Sequence, residues 1–199
     1  MTALAQIDLV LGSTSRYRAE LLRRLASTFR QVAPDVDETR HEAEPPRTLA
    51  VRLARAKAEA VARRCPGAIV IGSDQVASLD DRVLGKPGSV SNAQAQLAAC
   101  SGRSVEFLTA LCVIDTRTAP PRVLEALDVT RVAFRALTAT EIERYVEREQ
   151  PLDCAGSFKS EGLGIALFER IENADPSALV GLPLIALARL LREAGVEIL

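Results

Sequence analysis

The apolar run at residues 68–72 limits the fold of this chain more than any other feature of the sequence. It reads Ala-Ile-Val-Ile-Gly and contains no polar side chain. Strands of this kind lie in the middle of an α/β sheet, because helices cover both of their faces. A predicted helix over 48–64 precedes the run and places Leu49, Leu53 and Ala56 on one face. The run therefore predicts a layered α/β fold.

Further strands and helices alternate along the rest of the chain. Strands are predicted at 7–11, 29–33, 103–115 and 122–135, and a long polar loop at 34–46. Helices are predicted after Ser15, at 91–101, at 138–149 behind a Thr-Ala-Thr-Glu capping box, and between Pro183 and Gly195. No internal repeat or break in composition divides the sequence. A single domain over residues 1–199 is therefore expected.

The charge balance and the cysteines argue against several classes of function. The chain has 25 Lys and Arg against 26 Asp and Glu, a net charge of -1, so neither nucleic acid nor a membrane is an expected partner. No segment resembles a signal peptide or reaches transmembrane length, which predicts a cytoplasmic protein. Neither a zinc site nor a disulfide framework is expected from the scattered cysteines and single histidine, which are Cys65, Cys100, Cys112, Cys154 and His41.

The strand-to-helix junction at residues 12–18 is the first candidate site. It reads Gly-Ser-Thr-Ser-Arg-Tyr-Arg and brings Ser13 and Arg18 to the start of a predicted helix. Free N–H groups and the helix dipole favour an anion there. The alternative is a plain Ser N-cap followed by two solvated arginines. A Walker loop is excluded, because the chain has no G-x-x-x-x-G-K-[ST] sequence.

Asp74 is the second candidate, because it follows the apolar run closely. The sequence predicts that the central strand stops at Ser73-Asp74-Gln75. Open α/β sheets bind ligands at the carboxyl ends of their strands, which favours a role for Asp74 in a binding site. An ordinary surface turn is the alternative, since Ser and Asp are common turn residues.

Further carboxylates and lysines supply the remaining parts of a phosphoryl-transfer site. The loop at 35–38, Asp-Val-Asp-Glu, offers oxygen ligands to Mg²⁺ or Mn²⁺, or is simply solvated. Lys57 emerges at the border of an apolar helix face, where a snorkelling surface lysine is the alternative. Lys86 precedes a proline in a tight Gly-Lys-Pro segment. A metal, a base and cations around the phosphate oxygens are what such a reaction needs.

With these residues identified, the chain resembles the Maf family of nucleoside triphosphate pyrophosphatases over nearly its whole length. The matching segments are 9–18, 33–38, 52–57, 71–76, 85–87, 154–164 and 180–184. The resemblance implies an α/β fold of the inosine-triphosphatase-like kind, with a mixed twisted sheet, flanking helices and an elongated cleft between two lobes. It also implies a divalent cation, a nucleotide substrate and a homodimer.

Within that family the chain is similar to the branch that acts on 7-methyl-GTP. The segments at 72–76 and 154–162 carry this likeness, whereas the branch acting on dTTP and UTP has Gln at the position of Glu161. Tyr17 stands where the first branch often has Trp, so an aromatic ring is retained. The resemblance implies that Asp74 is the proton acceptor and a metal ligand with Glu38. It implies base-specificity roles for Tyr17, Gln75 and Glu161, and catalytic phosphate roles for Ser13, Arg18, Lys57 and Lys86.

The chemistry of the methylated base fits two of these side chains. Methylation at nitrogen 7 makes guanine cationic, which favours the face of Tyr17. A carboxylate such as Glu161 accepts both neighbouring N–H groups of guanine. Two alternatives remain: the same chemistry on dTTP, UTP or other non-canonical nucleotides, and a nucleotide-binding regulator of cell division. A pure regulator has no need of the full catalytic set.

Overall fold

A seven-stranded mixed sheet forms the centre of the fold in a computed structural model, which describes residues 2–199. The strands are β1 Thr2–Ala3, β2 Leu9–Leu11, β3 Arg30–Gln31, β4 Ile69–Leu79, β5 Arg82–Leu84, β6 Ser104–Asp115, β7 Arg122–Phe134, β8 Phe168–Glu172 and β9 Val196–Glu197. The α-helices are α1 Arg16–Leu22, α2 Pro46–Ala62, α3 Val90–Cys100, α4 Ala139–Glu149 and α5 Leu184–Glu193.

The sheet combines parallel and antiparallel pairing. Its strand order is β3-β2-β4-β6-β7-β8, with β5 paired to β4 as a branch. Strand β2 runs parallel to both β3 and β4, whereas β4, β6, β7 and β8 pair antiparallel in succession. Strands β1 and β9 form a separate parallel pair. The α/β class predicted from the apolar run is confirmed.

The long strands β4, β6 and β7 pass through two lobes. One lobe packs β2 and the first half of β4 between α1 and α5 on one face and α2 on the other. The second lobe packs the far half of β4 with α3, α4 and a group of phenylalanines in edge-to-face contact, among them Phe107 and Phe158 at 5.1 Å between ring centroids. A cleft lies where the strands cross from one lobe to the other.

The prediction that the central strand stops at Ser73 is wrong. Strand β4 continues to Leu79, because Asp74 pairs with Ala110 and the ladder with β6 extends to Ser78 and Glu106. The turn preference of Ser and Asp is a local effect, and tertiary pairing overrides it. Asp74 is therefore fixed within a strand and not held on a mobile loop.

Helix α2 lies unusually close to β4 at Gly72. A Cβ added to Gly72 would lie 2.4 Å from the carbonyl oxygen of Ala54 and 2.6 Å from the amide nitrogen of Ala58. Glycine is the residue that permits such close backbone approach inside a strand. The helix starts at Pro46 and not at Thr48, since proline is well suited to a first helical position.

Other boundaries agree with the sequence to within two residues. The capping box of Thr138 and Glu141 is formed at α4, and α5 is framed as predicted between Pro183 and Gly195. The sequence did not predict β5, β8 or the β1–β9 pair, which are short. The four cysteines are free thiols, three of them buried. Within residues 2–199, none of the helices combines the length and apolarity required to cross a bilayer.

Replacing Gly72 by Ala should destabilise the protein, because the added methyl collides with the backbone of α2. We expect a loss of about 1–3 kcal/mol in the free energy of unfolding, measured by urea denaturation. Gly85→Ala is the control, since its Cβ meets nothing within 4 Å and its φ is not positive. Equal stability of the two variants would show that α2 does not depend on Gly72 for its position.

Candidate active site

One cavity of about 690 Å³ between the lobes contains every residue predicted for the site. Its lining includes Ser13, Tyr17, Arg18, Glu38, Lys57, Asp74, Gln75, Lys86 and Glu161. These residues come from α1, α2, β4 and four loops. The fold therefore brings together side chains that lie far apart in the sequence.

A buried ion pair between Lys57 and Asp74 joins α2 to β4 at the floor of the cavity. Lys57 Nζ lies 2.6 Å from Asp74 Oδ1 and 2.7 Å from Glu38 Oε1. The Lys57 side chain is only 7% exposed and that of Asp74 9%, whereas Glu38 is 57% exposed. Lys57 lies on the buried face of α2 between Leu53 and Val61, so the snorkelling interpretation is wrong.

The environment of Asp74 makes its carboxylate more basic. Burial raises the pKa of Asp74 above its ordinary value, because the charged form loses water. The Lys57 ammonium and the Arg18 guanidinium oppose this shift in pKa, and the Glu38 carboxylate adds to it. The net direction is upward. A buried carboxylate of raised pKa beside cations is suited to accept a proton.

Arg18 lies in the cleft with Ser13. Arg18 Nε donates to the carbonyl of Gly181 at 2.9 Å, and one terminal nitrogen donates to Ser13 Oγ at 3.4 Å. Burial lowers the pKa of Arg18, while the charges of Asp74 and Glu38 oppose that shift. Arginine remains charged in proteins, so the cleft retains this cation.

Residues 12–18 form a Ser N-cap and also bring Arg18 into the cleft. Ser15 is the N-cap of α1, and its Oγ accepts the Arg18 N–H at 3.4 Å. Ser13 is buried, and its Oγ accepts the Ser15 N–H at 3.1 Å. Side chains thus occupy two of the backbone donors. Arg18 therefore adds a cation to the N–H groups of this segment that remain for an anion.

Tyr17 and Glu161 both line the cavity, but they differ in their neighbours. The Tyr17 ring holds the Arg16 guanidinium 4.8 Å from its centroid, and Arg16 Nη2 donates to the Tyr17 hydroxyl at 2.9 Å. Glu161 is exposed and accepts from Ser160 Oγ at 3.2 Å. One face of the Tyr17 ring therefore already contacts a cation, and the Glu161 carboxylate faces solvent.

Gln75 is held by several hydrogen-bond acceptors of the protein. Its Nε2 lies 3.0 Å from Thr109 Oγ1 and 3.0 Å from each of the carbonyl oxygens of Ala178 and Leu179. The amide donors are engaged within the protein, which leaves the amide oxygen as the group for a ligand. Sequence patterns did not identify Thr109 or these carbonyls, because backbone acceptors carry no residue signature.

Cys154 also lines the cavity and was identified only through its segment. Burial raises the pKa of its thiol to about 12. The thiolate is the nucleophilic form of cysteine, so this thiol is not a nucleophile near neutral pH.

The carboxylates of the cavity fit a divalent cation shared with a substrate. Within residues 2–199, the His, Cys, Asp and Glu side chains form no group of three or more around a metal position. Asp74 and Glu38 do converge, since both contact the same Lys57 nitrogen. Mg²⁺ is commonly bound by one or two carboxylates together with substrate phosphates. Two carboxylates match that pattern.

Comparison with solved structures supports the fold. The chain is similar to a HAM1 protein from Coxiella burnetii, with a TM-score of 0.52 and 17% identity over 94% of this chain and 100% of that one. At this identity the likeness concerns the fold alone. The expected inosine-triphosphatase-like architecture is confirmed.

Comparison with known sequences gives the family. A family model described as "Maf-like protein" matches residues 8–194. A protein of Xanthomonas oryzae pv. oryzae named 7-methyl-GTP pyrophosphatase is 62% identical over 187 residues, which are 94% of this chain and 96% of that protein. An Alcanivorax borkumensis protein of the same name is 52% identical over 190 residues, 96% and 95% of the two chains. The chain therefore belongs to the Maf family.

Proposed function

We propose that this chain is a nucleoside triphosphate pyrophosphatase that converts 7-methyl-GTP to 7-methyl-GMP and pyrophosphate. The observation that carries the proposal is the buried ion pair of Lys57 and Asp74. Glu38 contacts the same Lys57 ammonium. Arg18 and Lys86 line the same cleft. The names of the relatives support the choice of nucleotide. We place the activity in the cytoplasm, where free thiols such as those of this chain persist.

In this proposal Asp74 is the general base. Its carboxylate accepts a proton from the water that attacks the α-phosphorus, and the bond from that phosphorus to the bridging oxygen breaks. Pyrophosphate leaves with the bonding electrons. Lys57, Lys86 and Arg18 stabilise the charge that grows on the transferred and leaving oxygens. Ser13 is placed beside Arg18 to orient the phosphates.

We propose Mg²⁺ or Mn²⁺ as the cofactor, with Asp74 and Glu38 as the residues that would hold it. When bound, the cation supplies positive charge that offsets the charge on the phosphate oxygens. Glu38 is suited to this role because its side chain is 57% exposed while its carboxylate already reaches Lys57. It is therefore accessible to a cation that enters with the nucleotide.

In this proposal Tyr17, Glu161 and Gln75 recognise the methylated base. An aromatic face such as that of Tyr17 attracts a planar cation, which is the chemistry of 7-methylguanine. Because Arg16 covers one face of the ring, the base stacks on the other face or displaces Arg16. Glu161 accepts the two N–H groups of the guanine edge and complements its positive charge. The Gln75 amide oxygen is a further acceptor. A uracil or thymine edge presents carbonyls to these acceptors and is disfavoured.

Replacing Asp74 by Asn should lower kcat by about 10²–10⁴-fold while nucleotide binding persists, because the carboxamide cannot accept the proton. In the wild type, kcat/KM should fall as the pH drops through the pKa of Asp74, which lies above the ordinary value of about 4 because of burial. Pyrophosphate release measured across pH tests both statements. Wild-type turnover in the variant would exclude Asp74 as the base.

Removal of divalent cations should abolish activity. Chelation with EDTA should stop pyrophosphate release, and added Mg²⁺ or Mn²⁺ should restore it. Glu38→Gln should raise the Mg²⁺ concentration for half-maximal activity by roughly tenfold or more, as expected when a group at a metal site is lost. Asp37→Asn is the matched control, since Asp37 belongs to the same acidic loop but does not line the cavity. Full activity in the chelator would exclude the metal.

Glu161→Gln should change the choice of base. The substitution keeps the size of the side chain but replaces one acceptor by a donor that faces a guanine N–H. A lost bond to a charged group is worth about 1.5–3 kcal/mol, so kcat/KM for 7-methyl-GTP relative to UTP should fall by about 10–100-fold. Glu169→Gln, at an exposed acid outside the cleft, is the control. An unchanged ratio of the two activities would mean that Glu161 does not contact the base.

A further inference from the structure

A short loop at residues 175–183 holds two side chains of the cleft by its backbone carbonyls. The carbonyls of Ala178 and Leu179 accept from Gln75 Nε2, each at 3.0 Å. The Gly181 carbonyl accepts from Arg18 Nε at 2.9 Å and from Ser73 Oγ at 2.9 Å. The position of this loop therefore sets where Gln75 and Arg18 point.

A buried carboxylate, Asp175, anchors the loop at its beginning. Asp175 is 4% exposed. Its Oδ1 accepts from the Ser177 hydroxyl at 2.6 Å and the Ser177 N–H at 3.1 Å. Its Oδ2 accepts from the N–H groups of Ile185 at 2.6 Å and Ala186 at 3.2 Å. All four donors are neutral. Asp175 therefore holds the backbone by hydrogen bonds and not through an ion pair.

These bonds tie the loop to the first turn of α5. Pro183 is the N-cap of that helix and provides no side-chain cap, which leaves the first N–H groups to other acceptors. Asp175 accepts two of them, and Ser177 Oγ accepts the N–H of Leu184 at 2.8 Å. A negative charge at this helix end is also favoured by the helix dipole. The loop is thus fixed at the helix by Asp175 and Ser177 together.

We propose that Asp175 is a positioning residue for the nucleotide site, acting on Arg18 and Gln75 through the carbonyls of the loop at 175–183. Asp175 touches neither the substrate nor the reacting atoms. It holds the loop so that the Gly181 carbonyl orients Arg18 towards the phosphates and the Ala178 and Leu179 carbonyls orient Gln75 towards the base. The effect of Asp175 on turnover rests on the proposed function. Its effect on the positions of Arg18 and Gln75 does not.

The test compares Asp175→Asn with the wild type on 7-methyl-GTP. The carboxamide keeps one acceptor oxygen, so it cannot satisfy both Ser177 and the α5 amides. We expect KM to rise by about 10–100-fold, because Gln75 and Arg18 both contact the nucleotide. We expect kcat to fall as well, because Arg18 stabilises the charge that grows on the phosphate oxygens. Ser177→Ala, which removes the acceptor for Leu184 and the bond to Asp175, should shift KM in the same direction and less. Ser177→Ala also tests the proposal if Asp175→Asn does not fold.

Ile185→Gly is the matched control for a merely structural role. Its side chain is 61% exposed, and the substitution weakens the same turn of α5 while the Ile185 N–H remains available to Asp175. It should lower the melting temperature and leave KM unchanged. A rise in KM that follows the loss of melting temperature equally in all three variants would overturn the positioning role.

Crystal structures of the variants separate this proposal from the proposed function. In Asp175→Asn the contacts of Gly181 with Arg18 and of Ala178 with Gln75 should be lost, whatever nucleotide the enzyme uses. If both contacts persist unchanged, Asp175 does not position these side chains. If the wild type fails to hydrolyse 7-methyl-GTP, the proposed function is wrong, and the structural contacts alone decide the role of Asp175.

Discussion

The buried contact of Lys57 with Asp74 is the interaction on which the rest of the site depends. Removing two charges from water costs several kcal/mol for each, and only close geometry with further partners offsets that cost. The 2.6 Å contact supplies the geometry, and Glu38 supplies a second partner for the ammonium. Both require α2 to lie against β4, which Gly72 permits by having no side chain. A packing constraint thus sets the electrostatics of the cleft.

In the proposed function the cleft binds a ligand that carries both negative and positive charge. Lys57, Lys86 and Arg18 would bind the triphosphate, and Glu161 and the ring of Tyr17 would bind the methylated guanine. The likeness to a HAM1 protein at 17% identity concerns the fold and says nothing of the nucleotide. In the proposed function the choice of nucleotide depends on Tyr17, Gln75 and Glu161.

The sequence predicted which residues lie together in the cleft better than it predicted their local structure. The apolar run at 68–72 identified the central strand because burial on both faces leaves a direct pattern. The same pattern could not show that the strand continues past Asp74, since that continuation depends on pairing with Ala110 in β6. Lys57 was predicted to lie at the border of a helix face, because its partner is also distant in the sequence. Its burial is stabilised by Asp74, a partner that only the folded chain brings near.

The loop at 175–183 marks the limit of prediction from residue types. Its carbonyls orient Arg18 and Gln75, and every residue type has a carbonyl, so no motif identifies them. Their direction depends on the path of the backbone, and that path is fixed by Asp175 and Ser177 at the start of α5. A catalytic side chain can be recognised by its chemistry, whereas a positioning group is recognised only by its partners. Residues of the second kind are therefore found once the hydrogen bonds around the first kind have been traced.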